Sequence, residues 1–481
     1  MTALPAGIPT QLYIDGQWRD GSQGAFEVVD PSTGDVLTSV ARAGLDDLDA
    51  AIDAAAAAQP DWAGRAPRER AEVLRKAYEL MIERSEDIAF LMSLEMGKSL
   101  TDSRGEVTYA AEFFRWYSEE AVRVGGEVRM SPTGANRIVT FKKPYGVALL
   151  LTPWNFPAAM ATRKLGPALA AGCSVVLKPA EDTPMTALVL AQVLTDAGVP
   201  AGVVNVITCD KPGDLVEHAL ADERVRKLSF TGSTRVGSLL LKQAAEHVVS
   251  SSMELGGNAP FLVLDDADLD AAVEGAMLAK MRNGGQACTA ANRFLVVESV
   301  AGEFAEKLAA KMGELTMGPG TAEGTKLGPM INAKQRDGVA DKVTRSVQAG
   351  AKAVLGGSTP EGSGFFYPAT VLTDVPRDAP VAVDEIFGPV APIIVVKDDD
   401  DAIAVANATE MGLTGYVYTR DLARGLRVSE KLEVGMVGLN RGLVSDPAAP
   451  FGGVKESGLG REGGFEGIEE YLETTYVATN W

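Results

Sequence analysis

Histidine and cysteine are scarce: the 481 residues include two histidines, His218 and His247, and three cysteines, Cys173, Cys209 and Cys288. No Cys/His zinc cluster and no C-x-x-C redox pair can be drawn from so few, so no metal site is expected. Neither histidine lies in a glycine-rich or otherwise distinctive context, which disfavours a Ser-His-Asp machine. A catalytic base would then be a carboxylate or a lysine. Long apolar runs are lacking too. The clearest, Val147–Leu151, falls far short of the ~20 residues that span a bilayer. The opening Met1-Thr-Ala-Leu-Pro-Ala-Gly7 has neither the basic start nor the apolar core of a signal peptide. A cytoplasmic protein without a membrane partner is the expectation. Positive charge is in deficit, with 45 Lys and Arg against 65 Asp and Glu, a formal net charge of -20. Such a chain repels phosphate backbones, so no nucleic-acid partner is expected, and an anionic substrate would need locally placed cations.

What is present is a large apolar fraction, 46%, and 51 glycines, enough for extensive cores in two or more domains. From about residue 146, short apolar runs alternate with helical patterns. Val147–Leu151 reads as a buried strand, followed by a turn over 152–157 and an Ala/Leu-rich helix ending near Gly172. Ser174–Lys178 is the next strand, and Thr183-Pro184 forms an N-cap with first-turn proline for a helix ending at Gly198. Val203–Ile207, Arg226–Phe230, Val248–Met253 and Phe261–Leu264 continue the series. Alternation of this kind predicts parallel β-α-β units and a doubly wound α/β fold. The stretch 271–440, with strands at Arg293–Val297 and Ile393–Val396, predicts a second α/β domain. The first 120 residues read as mainly helical after short strands around Gln11–Trp18 and Ala25–Val29.

Ligands of open parallel sheets bind beyond the carboxyl ends of the strands. Asn155, Lys178, Glu181, Thr231-Gly232-Ser233 and Glu254 all occupy such ends and would converge on one edge. Gly232-Ser233, opening a helix, suits a pyrophosphate held by backbone N–H groups, although no G-x-G-x-x-G is present and a purely structural glycine turn reads equally well. Glu181 could bind a ribose hydroxyl pair or be a solvated surface acid. Cys288 stands out in Arg282-Asn-Gly-Gly-Gln-Ala-Cys288-Thr289, because a thiol in a polar, glycine-flanked loop differs from an inert packing cysteine. Spacing alone leaves both readings of that thiol open. Cys173 and Cys209 have apolar or turn neighbours and are read as packing residues.

Taken together, Pro153-Trp-Asn-Phe-Pro157, Phe230-Thr-Gly-Ser233, Met253-Glu-Leu-Gly-Gly-Asn258, Gly285-Gln-Ala-Cys288 and Glu385-Ile-Phe-Gly-Pro389 resemble the aldehyde dehydrogenase superfamily, in its order and over nearly the whole chain. The resemblance implies a Rossmann-type cofactor domain (1–122 and 145–254), an α/β catalytic domain (255–456) and a small β oligomerisation element (123–144 and 457–481). It implies Cys288 as the nucleophile that captures an aldehyde, Asn155 with the Cys288 backbone N–H as oxyanion donors, and Glu254 as the base for thioester hydrolysis. Thr152, Pro153, Trp154, Lys178, Pro179, Ala180, Glu181, Gly232, Ser233, Leu255, Glu385 and Phe387 would hold the dinucleotide. The Glu181 carboxylate would bond a 2′-hydroxyl and repel a 2′-phosphate, so NAD is favoured; Lys178 leaves NADP possible.

Within that superfamily the chain is most similar to succinate-semialdehyde dehydrogenases, through Thr162-Arg-Lys-Leu-Gly-Pro167, Lys178-Pro-Ala-Glu-Asp-Thr-Pro184, Arg282-Asn283 and 450–463. Arg163 and Arg282 match two arginines that grip the substrate carboxylate, and Ser445 matches a supporting hydroxyl. Paired guanidiniums would also answer the acidic field. Ala290 stands where some relatives carry a second cysteine, so a disulfide switch is not expected. Arg441 and Asp446 depart from those relatives and leave glutarate semialdehyde as an alternative. A broad-specificity enzyme is disfavoured by the two arginines. A catalytically silent structural relative is disfavoured by Cys288, Glu254 and Asn155 together, and a CoA-acylating enzyme by Glu254. The resemblance further implies a homodimer or homotetramer in which a segment such as Glu127–Phe141 pairs with Tyr471–Trp481 of a neighbouring copy.

Overall fold

The computed structural model describes residues 4, 5 and 7–481; much of the Met1–Gly7 segment read above for a signal sequence thus lies outside the described residues. Five segments form the parallel centre of an eight-stranded sheet, in the spatial order Val204–Val206, Ser174–Lys178, Val147–Leu151, Val225–Thr231, Ser250–Glu254. In chain order this is third, second, first, fourth, fifth. The direction of winding therefore reverses between Val147–Leu151 and Val225–Thr231, where a doubly wound sheet opens its ligand crevice. Both faces of the sheet are covered, which is why its strands read as continuous apolar runs. Ala148 and Leu150 pack into one core with the helices Pro157–Ala171 and Pro184–Ala197, while Val147, Leu149 and Leu151 pack into another on the opposite face.

The chain runs off Ser250–Glu254 and enters Pro260–Val263, an interior strand of a seven-stranded sheet, after only residues 255–259. That sheet repeats the same order with Val390–Val396, Arg293–Val297, Pro260–Val263, Thr414–Tyr418 and Met436–Leu439, all parallel. Because the crossing is so short, the carboxyl edge of the first sheet faces the amino edge of the second. The doubly wound α/β expectation holds for both halves. No described helix is long and apolar enough to cross a membrane.

Several local expectations are corrected. Asp15 and Gly16 adopt positive φ of 53° and 73°, the geometry of a tight hairpin turn, so the stretch read as one strand is two, Leu12–Ile14 and Gln17–Arg19. Val248 also has positive φ, 55°, and is 89% exposed. It belongs to a turn, and the strand begins only at Ser250. Thr183 makes no side-chain cap; the first N–H groups of its helix, on Met185 and Thr186, donate instead to the buried Glu95 carboxylate at 3.0 and 2.9 Å. Finally, the C-terminal strand Leu472–Thr479, expected to pair with a neighbouring copy, pairs antiparallel with Arg137–Pro144 of its own chain, Thr475 opposite Phe141. The turn at Glu466–Glu469 brings it back beside that strand, and Val128–Met130 completes a three-stranded sheet.

Candidate active site

Asn155 ends the turn that follows the strand Val147–Leu151. Its position is set by a closed set of hydrogen bonds. The side-chain amide donates to Gln286 O (3.1 Å), and the Asn283 amide donates both to that same carbonyl (3.1 Å) and to Asn155 O (2.8 Å). One Asn155 N–H remains free, and Asn155 borders the same cleft as Cys288. The loop that carries Cys288 is made possible by local geometry. Asn283 and Gly284 turn through positive φ (54° and 58°), and a Cβ on Gly285 would lie 2.2 Å from Gly388 O, a contact only glycine avoids.

The Cys288 thiol is partly open to a cleft of about 240 Å³ that also borders Trp154, Ser233, Leu255, Glu385 and Phe387. A larger cavity of about 850 Å³ shares Ser233, Gly256 and Glu385 but does not reach the thiol. Protein surrounds the thiol on its other sides, and this burial pushes it up to about 11, with Arg163 the main opposing influence. Both Glu254 oxygens are buried without a hydrogen-bond partner. Burial, aided by Glu462, holds that carboxyl well above its ordinary range against the opposing Arg163 and Lys164. Burial thus favours the thiol over the thiolate at Cys288 and the neutral form at Glu254, and a cation brought into the cleft would oppose both shifts.

The residues expected to hold a dinucleotide lie along this cleft and the neighbouring strand end. Ser233 caps the helix Thr234–Glu246 by accepting from Val236 N at 3.4 Å, and Gly232 N donates to Glu254 O at 3.0 Å. Thr152 N donates to Lys178 O at 3.2 Å, fixing the Thr152-Pro153 turn beside the Lys178-Pro179-Ala180 segment. The Lys178 ammonium meets the half-exposed Glu181 carboxylate at 3.4 Å. Phe387, held at a positive φ of 55°, packs its ring edge-on against Trp154 with centroids 5.4 Å apart. Glu385 accepts from Gly257 N at 3.1 Å through one oxygen, while burial raises its carboxyl to about 7. The unpartnered Thr231 hydroxyl borders the same cleft. A helix N-terminus, a pair of aromatic walls and a carboxylate fit phosphate, ring and ribose respectively.

On the other side of the thiol, Arg282 reaches Ser445 Oγ (3.5 Å) and Thr289 Oγ1 (3.4 Å) and lies over the Phe156 ring at 5.0 Å. No carboxylate pairs with it among the described residues, and it lies near enough to lower the Cys288 thiol. Arg163 is placed differently. It is buried, ion-paired to Glu462, and stacked on Phe451 at 4.1 Å; Lys164 holds the other Glu462 oxygen at 2.6 Å. Sequence reading brought Arg282 and Ser445 together correctly but missed Glu462, whose signal was only its place inside 450–463. It also missed Lys98, Glu106 and Asn283, whose partners lie elsewhere in the chain.

The aldehyde dehydrogenase family profile matches residues 18–477. The chain belongs to the aldehyde dehydrogenase family. This aldehyde dehydrogenase is 57% identical to a succinate-semialdehyde dehydrogenase of Paenarthrobacter nicotinovorans, over 92% of its own length and 98% of the relative's. It is 49% identical to a glutarate-semialdehyde dehydrogenase of Pseudomonas putida, over 97% of each. A solved structure described as an Escherichia coli NADP-dependent enzyme superposes with a TM-score of 0.97 at 48% identity, covering 98% of both chains. The enzyme is thus an aldehyde-oxidising oxidoreductase with the fold of its family.

Proposed function

We propose that the enzyme oxidises succinate semialdehyde to succinate, with NAD as the favoured acceptor. Cys288 Sγ attacks the aldehyde carbon, and the oxygen that becomes anionic is met by the free Asn155 N–H and the Cys288 backbone N–H. Such donors are typically worth a few kcal/mol each. When bound, the oxidised nicotinamide supplies the hydride acceptor and, as a cation, favours the thiolate. Loss of hydride leaves a thioester on Cys288. Glu254 then removes a proton from the water that attacks it, and acid and free thiol are released.

The observation that carries the substrate assignment is Arg282, a guanidinium without a carboxylate partner, braced by Ser445 and close to the thiol. A short semialdehyde would span the gap, with its aldehyde at sulfur and its carboxylate at Arg282. Glutarate semialdehyde is the second reading, favoured by the Pseudomonas relative and by the departures at Arg441 and Asp446. NADP is the second acceptor, favoured by Lys178 and by the Escherichia coli neighbour. We further propose a homodimer or homotetramer, supported by the exposed Val128, Met130 and Tyr476 on the three-stranded sheet. The test is NADH formation from semialdehydes of three to six carbons by the wild-type enzyme and Cys288→Ala. The variant should lose at least a thousandfold in turnover yet bind NAD normally; surviving turnover removes the covalent mechanism.

A further inference from the structure

The turn that presents Asn155 is gripped from behind by a lysine remote in sequence. Lys98 follows the helix-ending Gly97, whose φ of 90° only glycine adopts comfortably. Its side chain is completely buried. The ammonium has three protons, and each has a defined neighbour. One is donated to Asn155 O at 2.7 Å, one goes to Glu106, and the third faces the Phe156 ring, whose centroid is 4.0 Å away. The second oxygen of Glu106 accepts from Ala158 N (2.9 Å) and Ala159 N (3.1 Å), the first N–H groups of the helix Pro157–Ala171, which starts two residues after Asn155. Lys98 and Glu106 thereby hold both sides of Asn155, the peptide carbonyl before the helix and the helix start itself.

Asn155 O has two lone pairs, taken by Lys98 and Asn283. With both occupied, the peptide plane cannot rotate, and its side chain is aimed from a fixed base. We infer that Lys98 is a positioning residue for the oxyanion: its ammonium locks the Asn155 peptide so that the free Asn155 N–H points at the oxygen of the captured aldehyde. This rests on the reading of Asn155 as an oxyanion donor. Lys98 does not touch the reacting atoms, and the leading influences on the Cys288 thiol are burial, Arg163, Glu385, Glu254 and Arg282. Its loss should therefore slow carbonyl chemistry without altering sulfur reactivity.

The experiment is a double-mutant cycle on the full-length enzyme. Asn155→Ala should lower kcat by about 100- to 1,000-fold. Lys98→Met, close in shape but without the ammonium, should lower kcat at least tenfold, with KM and the NAD dissociation constant within about threefold of wild type. In the Asn155→Ala background the same Lys98→Met change should cost less than about twofold. Alkylation of Cys288 by iodoacetamide, which passes through no oxyanion, should keep its wild-type rate in Lys98→Met. Glu106→Gln, which retains an acceptor for the helix N–H groups but removes the anion beside the ammonium, should lower kcat in the same direction and stands in if Lys98→Met does not fold. Equal losses from Lys98→Met in both backgrounds, a parallel fall in alkylation, or an unchanged kcat in Glu106→Gln would each overturn the inference while leaving the Asn155 assignment intact. An Asn155→Ala enzyme of full activity would remove that assignment and the inference with it.

Discussion

Arg282→Ala tests the substrate assignment most directly. Among the described residues the guanidinium is held by two hydroxyls at 3.4 and 3.5 Å and by the Phe156 face, with no ion pair, so its charge is available to a ligand. A charge-assisted hydrogen bond in a partly buried setting contributes about 1.5–3 kcal/mol. Each 1.36 kcal/mol is tenfold in rate, so kcat/KM for succinate semialdehyde should fall about 10- to 150-fold in the variant. Butanal has the same four carbons with a methyl group in place of the carboxylate and provides the control. Its kcat/KM should change less than about threefold, because Asn155 and Glu254 are untouched and Arg282 is the smallest of the named influences on the thiol, behind burial and Arg163. Initial rates of NADH absorbance for both aldehydes, with wild type and variant side by side, give the ratio directly. Arg282→Lys should recover little, since an ammonium cannot reproduce the fork of a guanidinium. Equal losses for the two aldehydes would refute the reasoning, for they would mean that Arg282 supports the loop of Cys288 rather than the substrate.

The other expectations concern Arg163, the thiol and the cofactor. Arg163→Leu leaves Glu462 with Lys164 as its remaining cation, so it should cost about 3 kcal/mol, the low end for a broken buried pair; an unchanged thermal midpoint would return Arg163 to the role of a free substrate clamp. With its thiol raised to about 11, the cofactor-free enzyme should be alkylated by iodoacetamide about tenfold faster for each pH unit from 7 to 9, as thiolate accumulates; a plateau below pH 8 would contradict the burial argument. Glu181→Ser releases Lys178 from its 3.4 Å partner and should raise the ratio of kcat/KM with NADP to that with NAD about tenfold, by removing one like charge near a 2′-phosphate. An unaltered ratio would mean that Glu181 does not face the ribose.

The parts legible in the sequence are those where one segment decides its own environment. Val147–Leu151, Ser174–Lys178 and Arg293–Val297 were read to the residue, since each is an apolar run buried at every position. Asn155 and Glu254 were picked out by their places, one in the turn after a strand and the other the last residue of one, where a doubly wound sheet collects its polar groups. Thr183 misled because a good local cap was outcompeted by Glu95, a carboxylate brought to the same N–H groups by the N-terminal helices. Arg163 looked like a free cation for a similar reason: Glu462, its counter-ion, arrives from near the C-terminus. Asp15-Gly16 was a readable hairpin signal that went unused. Lys98 carried no local signal, because its partners are fixed only when the N-terminal helices pack on the first sheet.

Residues 255–259 lead directly from the last parallel strand of the first sheet to Pro260–Val263 of the second, and the reacting groups straddle the join: Asn155 follows a strand of the first sheet and Glu254 ends another, while Cys288 and Glu385 lie in loops that lead into strands of the second. The reactive assembly is thus a joint rather than a cavity carved in one body. An ångström of slip across that joint would part sulfur from carboxyl while every strand kept its neighbours, so catalysis reports on the alignment of the two halves more sensitively than helix or sheet content can.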